Sequence, residues 1–138
     1  MNSMPPPRAL AQYRRVDAYG SVENADPHRL VELLYDALGQ ALVMLGGAIE
    51  RADRPAKAAA VGKAAAIIDA LRGSLDLPRG GEVAHNLDRL YDYMGRTLTE
   101  VNVRGDAALL RDIVSVNDTL RAAWKAIPAD ARHGSMAA

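Results

Sequence analysis

The chain contains no cysteine and no phenylalanine. Without thiols there is neither a disulfide framework nor a thiolate metal site. Aromatic residues make up only 4% of the 138 residues. A core must then be built from Leu, Ile, Val and Ala, which suits closely packed helices. Neither sign of charge is in excess, since 17 Lys and Arg balance 17 Asp and Glu. That balance gives no support to nucleic-acid binding or to general attraction to an anionic membrane. No uninterrupted apolar run approaches the ~18 residues of a spanning helix. Met1 to Pro7 lacks the apolar h-region of a signal peptide. The expectation is a cytoplasmic protein without membrane insertion. With 49% hydrophobic and 25% charged residues, the composition is that of one soluble globular domain.

What is present is helical patterning. From Ala25 to Arg54 the chain reads ADPHRLVELLYDALGQALVMLGGAIERADR. Asp26 suits an N-cap and Pro27 the first helical position. Leu30, Val31, Leu33, Leu34, Leu38, Leu42, Met44, Leu45 and Ile49 fall on an arc of roughly 200°, with Val43 outside it. His28, Arg29, Glu32, Asp36, Gln40, Glu50 and Arg51 hold most of the remainder. An arc so wide implies either the central helix of a bundle or an edge that awaits a partner. On this helix Val31, Leu42 and Ile49 form one edge and Leu33 and Met44 the other, and the Leu42 edge is the expected partner-facing one.

Asp53-Arg54-Pro55 breaks the pattern, and an alanine-rich helix follows over Ala56 to Leu75. Its large apolar residues, among them Val61, Ile67, Ile68, Leu71 and Leu75, share one face. Leu77 to Gly81 reads as a turn. A third helix over Glu82 to Arg104 carries Val83, Leu87, Leu90, Tyr91, Met94, Leu98 and Val101 on a narrower stripe. Gly105 stops it, and Asp106 caps a fourth helix to about Ile127, with Leu109, Leu110, Ile113, Val116, Leu120, Trp124 and Ile127 inward. Upstream, Leu10, Tyr13 and Val16 would line up on a short helix, joined through Gly20, Ser21 and Asn24 as a linker. Such a segment is marginal alone. It either caps the bundle or competes for a binding groove.

The expected architecture is all-α: an antiparallel up-and-down four-helix bundle with a short additional N-terminal helix. Residues 1–8 are expected to be disordered, 9–127 to form the bundle domain, and 128–138 a flexible tail.

The chemistry-bearing residues do not assemble a catalytic constellation, and no enzyme is expected. Glu82-x-x-His85 has the spacing of di-iron carboxylate bundles, but such sites need a second pair and two further inward glutamates. His85 also falls opposite the apolar stripe, facing water. A histidine phosphotransfer bundle needs a lysine and a glycine beside its histidine; Asn86, Leu87, Asp88 and Arg89 follow His85 instead. Gly80-Gly81 precedes Glu82, a negative charge where a phosphate would sit. No cofactor or small-molecule substrate is implied. The positive signal is surplus apolar helix surface, which on a soluble protein marks a partner site. Helix-in-groove recognition fits it.

Three segments carry a family resemblance. YRRVDAYGSVENADPHRLVELLYDAL, from Tyr13 to Leu38, resembles the start of the FliS family of flagellar secretion chaperones. So does GGEVAHNLDRLYDYM, from Gly80 to Met94, and Ala123-Trp124 before Lys125-Ala126-Ile127 is similar to that family's ending. The resemblance runs from about Leu10 to Ile127 in one register. Two departures stand out: Asp26 replaces a common Ser or Thr cap, and Ala37-Leu38 replaces a common Gly-Ala pair. The resemblance implies a cytoplasmic chaperone that covers the disordered C-terminal segment of flagellin, prevents premature filament assembly, and delivers its client to the flagellar export gate protein. It implies that the Leu10 and Tyr13 segment takes part in flagellin binding. With the apolar helix surfaces, the candidate flagellin-binding residues are Leu10, Tyr13, Val31, Leu38, Leu42, Ile49, Ile68 and Leu71.

Overall fold

Four aspartates start the four helices of the described residues. A computed structural model describes residues 26–128. Helix α1 is Pro27–Glu50, α2 Arg54–Gly73, α3 Leu77–Arg104 and α4 Ala107–Lys125. Asp26, Asp53, Asp76 and Asp106 are their N-caps, each side chain accepting a hydrogen bond from a first-turn N–H. Pro27, Pro55 and Pro78 stand in the first turns, where a missing N–H does no harm.

The expected end of α1 at Arg54 moves back to Glu50, because Asp53 is already the cap of α2. Between them Ala52 adopts a left-handed φ of 52°. The expected turn at 77–81 is instead one turn of helix started by Asp76, broken at Gly81 (φ 59°, ψ −143°). Only glycine enters that backbone region readily, so the break falls there. Gly105, left-handed at φ 62°, closes α3 by donating its N–H to the Val101 carbonyl at 2.7 Å.

With links this short, successive helices run antiparallel. α1 packs on α2 and on α4, α2 on α3, and α3 on α4. Cross-links fix the order: His28 at the start of α1 meets Trp124 at the end of α4, Lys57 reaches the Asn102 carbonyl at 2.9 Å, and Arg72 pairs with Asp88 at 2.9 Å. The described residues thus form an all-α, up-and-down four-helix bundle. The additional N-terminal helix and the leading residues expected from the sequence lie outside the described residues, as do residues 129–138.

α1 is the central helix. Leu34, Leu38 and Leu45 meet Ala64, Ile67 and Leu71 of α2 and Met94, Leu98 and Ile113 of the far side in one core. Tyr35 and Tyr91 cross its middle, one hydroxyl donating to the other at 2.6 Å. By length and composition α1 is apolar enough to cross a membrane. Counting uninterrupted runs misses this, because Glu32, Asp36 and Gln40 punctuate the sequence. Here ten of its residues are buried inside the bundle, and a core helix passes the same test.

Three assignments differ from the sequence reading. Val83, expected on the apolar stripe of α3, is exposed, and Ala84 beside it is buried instead. His28, expected on the polar face, is buried and stacks on Trp124 at 4.8 Å with an 11° interplanar angle. On α4 it is Asn117, not Val116, that turns fully inward; Val116, Leu109 and Leu120 are only partly buried.

Candidate partner surface

The seam between α1 and α4 begins as a tight closure. His28 Nε2–H donates to the Trp124 carbonyl at 3.0 Å, and Trp124 Nε1–H returns a bond to the His28 carbonyl at 2.9 Å. The first bond requires the Nε2–H tautomer. Next along the seam, Arg121 pairs with Asp36, and Lys125 lies 3.7 Å from Glu32 and 3.8 Å from Asp36. These exposed pairs contribute little individually, but they mark where the two helices are zipped.

Beyond them the seam opens into a groove of about 850 Å³. Tyr35, Gly39 and Leu42 of α1 and Val114 of α4 form its mostly apolar floor, with the polar Asn117 among them; Asp36, Gln40, Asp118 and Arg121 form a polar rim. Val43 and Met44 stand on its margin, 74% and 63% exposed. Val83 and Val103 of α3 are exposed too, so what sets Val43 and Met44 apart is that they are neighbours beside a groove with apolar floor residues. A Cβ at Gly39 would fit in ordinary contact, 3.5 Å from Asn117 Nδ2. Seven residues on, at Gly46, a Cβ would sit 3.4 Å from Leu110 Cδ2. The two glycines share the helix face turned to α4.

Beneath the groove lies the tyrosine pair. Burial pushes both phenols above their ordinary value, Tyr91 well above it, where the neighbouring Tyr35 adds to the effect. Both stay neutral at working pH.

Two smaller hollows are present. One of about 270 Å³ lies between α2 and α3, floored by Ile68 and Tyr91 and rimmed by Asp69, Arg72, Asp92 and Arg96. Another of about 310 Å³ lies at the Gly105 end beside Ile49, Asp53 and Lys57. The sequence-derived candidates therefore divide. Leu42 floors the α1/α4 groove, Ile68 the α2/α3 hollow, and Ile49 the end hollow. Val31, Leu38 and Leu71 are core residues, and Leu42 and Ile68 are buried as deeply beneath their hollows; on α1 it is Met44, on the edge opposite the expected Leu42 edge, that is exposed, while Leu10 and Tyr13 lie outside the described residues. Val43, Met44, Val114 and Asn117 were not among the candidates. The signal for Asn117 was a polar residue in the apolar row Leu110, Ile113, Leu120, Trp124.

His85 is exposed, its Nδ1–H donating to the Gly81 carbonyl at 2.8 Å. Among the described residues no group of three His, Cys, Asp or Glu side chains is gathered to hold a metal. The arrangement offers apolar surface with a polar rim, which serves binding.

Comparison with known proteins agrees. The family model described as "Flagellar protein FliS" matches residues 9–131. The chain is similar to flagellar secretion chaperone FliSB of Pseudomonas aeruginosa, 41% identical over 120 residues, 87% of this chain and 95% of that protein. It is 40% identical to flagellar secretion chaperone FliS of Salmonella typhimurium over 119 residues, 86% of this chain and 88% of that one. The Bacillus subtilis chaperone of the same name is 33% identical over 118 residues, covering 83% and 87%.

Proposed function

Because this chain belongs to the FliS family of flagellar secretion chaperones, a non-enzymatic family, we propose that its client is newly made flagellin in the cytoplasm. It holds the disordered C-terminal segment of flagellin, keeps it from premature filament assembly, and hands it to the flagellar export gate protein. The observation that carries this reading is the open α1/α4 groove with Val43 and Met44 exposed on its margin. A disordered segment folding as an amphipathic helix gains apolar burial there to offset its ordering entropy.

In this reading Val43 and Met44 touch the client directly, and the buried Leu42, with Val31, Leu38 and Leu71, sets the shape of the floor from beneath. Ile49 and Ile68 offer further contacts where the segment continues around the bundle. Leu10 and Tyr13 contact flagellin from the N-terminal side, so Tyr13→Ala weakens binding.

The test is co-purification of the full chain with flagellin and with flagellin lacking its C-terminal segment, alongside light scattering of flagellin polymerisation. Capture of the intact client only, with suppressed polymerisation, is expected. Equal capture of the truncated form would refute the reading.

A further inference from the structure

The α1/α4 groove changes character along its length. The two helices run antiparallel, so Asp36 pairs with Arg121 at the closed end, Tyr35 meets Asn117 next, and Gly46 faces Leu110 past the open end. On that scale Asp36 and Arg121 lie at the closed end and Gln40 and Asp118 near mid-length, while Leu42, Val43, Met44 and Val114 line the open end without a charge among them. The lining charges are not equally satisfied. Arg121 is held by Asp36, which also has Lys125 at 3.8 Å. Asp118 is exposed on the rim, and among the described residues no cation lies within ion-pair distance of it. The lining holds two carboxylates and one guanidinium, a net negative charge.

We infer that the groove reads the charge of its occupant as well as its apolar face: the flagellin segment sets a Lys or Arg side chain beside Asp118 and its apolar residues over Val43, Met44 and Val114. This rests on the groove being the client site. An apolar segment laid along the floor takes water from the rim and lowers the dielectric there. A carboxylate losing water on one side is then stabilised by a cation from the occupant and penalised by apolar or acidic neighbours. The two ends together set a direction. A reversed segment would carry its cation to the apolar end and turn apolar side chains to Asp118. Because Asp118 stays at the rim, the contact is screened, and its effect on affinity is several-fold rather than orders of magnitude.

The experiment is calorimetric titration of the full chain, in low and in high salt, with the C-terminal peptide of its organism's flagellin. Wild type, Asp118→Asn, Asp118→Lys and Met44→Glu are compared, with peptides in which each Lys and Arg is changed to Glu in turn. At low salt Asp118→Asn is expected to bind about two- to fivefold more weakly and Asp118→Lys on the order of tenfold, both differences shrinking in high salt. At one peptide position the change to Glu should weaken binding to wild type and restore binding to Asp118→Lys. Unchanged low-salt binding by Asp118→Lys, or a loss that no peptide position restores, overturns the inference. If that variant does not fold, Asp118→Asn decides, and equal affinity overturns it. Met44→Glu separates the two readings. Lost binding there with Asp118→Lys unimpaired keeps the groove and removes only the charge contact; unchanged binding by Met44→Glu removes both.

Discussion

Truncating Trp124 should open the bundle at the end where its first and last helices meet. The indole is 8% exposed, stacks on His28, meets Tyr35 edge-on at 6.5 Å, and donates Nε1–H to the His28 carbonyl. Trp124→Ala removes all of these while leaving the Trp124 carbonyl for His28. A buried Trp replaced by Ala costs about 3–5 kcal/mol. Trp124→Phe keeps a ring over His28 and loses the indole N–H, which costs about 1–2 kcal/mol. For a chain of this length the alanine change lowers Tm by about 10–20 °C. Urea unfolding followed by far-UV circular dichroism measures both, since the substitutions remove the fluorophore. The ordering Ala worse than Phe, by about 2 kcal/mol or more, is the signature of ring burial. A loss below about 1 kcal/mol for Trp124→Ala would show that the closure does not hold the helices together.

Neighbouring positions on α1 should respond oppositely to charge: Leu42→Glu, at 1% exposure, should unfold the bundle, while Met44→Glu should keep the wild-type melting temperature and lose flagellin binding. Leu120→Ala, only partly buried, should cost about 1–2 kcal/mol by urea unfolding. The buried phenols Tyr35 and Tyr91 have folded pKa values above the ordinary 10.0. Their contribution to stability is therefore whole below about pH 10 and is lost as pH rises above it. Absorbance at 295 nm should show these two titrating last, together with loss of ellipticity. Gly62→Ala, in open space mid-helix, should stabilise by about 0.5–1 kcal/mol. Gly105→Ala, at a φ of 62°, should cost about 1 kcal/mol; effects of the same sign on Tm would contradict the backbone argument.

Much of this fold is legible in residue order. Asp26-Pro27, Asp53-Arg54-Pro55 and Asp106 announce helix starts, and the 3.6-residue rows supply the faces. Asp76-Leu77-Pro78 carries the same signature as Asp53-Arg54-Pro55, but Gly80-Gly81 reads as a turn and masks it. The wide arc of α1 is mostly core, because the helix has neighbours on two sides; only Met44 at its margin and Val43 beyond it stay exposed. The groove is less legible. It arises from two helices distant in sequence, so neither pattern alone encloses it. Gly39 and Gly46, seven residues apart, signal a close approach without saying which helix approaches. His28 reads as polar surface until Trp124 is set against it. Asn117 stands out once Leu110, Ile113, Leu120 and Trp124 are seen to share its row.

The central claim is that flagellin's C-terminal segment lies along the α1/α4 groove. A photo-crosslinking side chain placed at Met44, or at Tyr93 on α3 as the comparison, tests it in the full chain mixed with flagellin. Both positions are exposed in the free protein. The account predicts that the Met44 probe captures the C-terminal segment in high yield and the Tyr93 probe does not. Capture from Tyr93 with none from Met44 would contradict it.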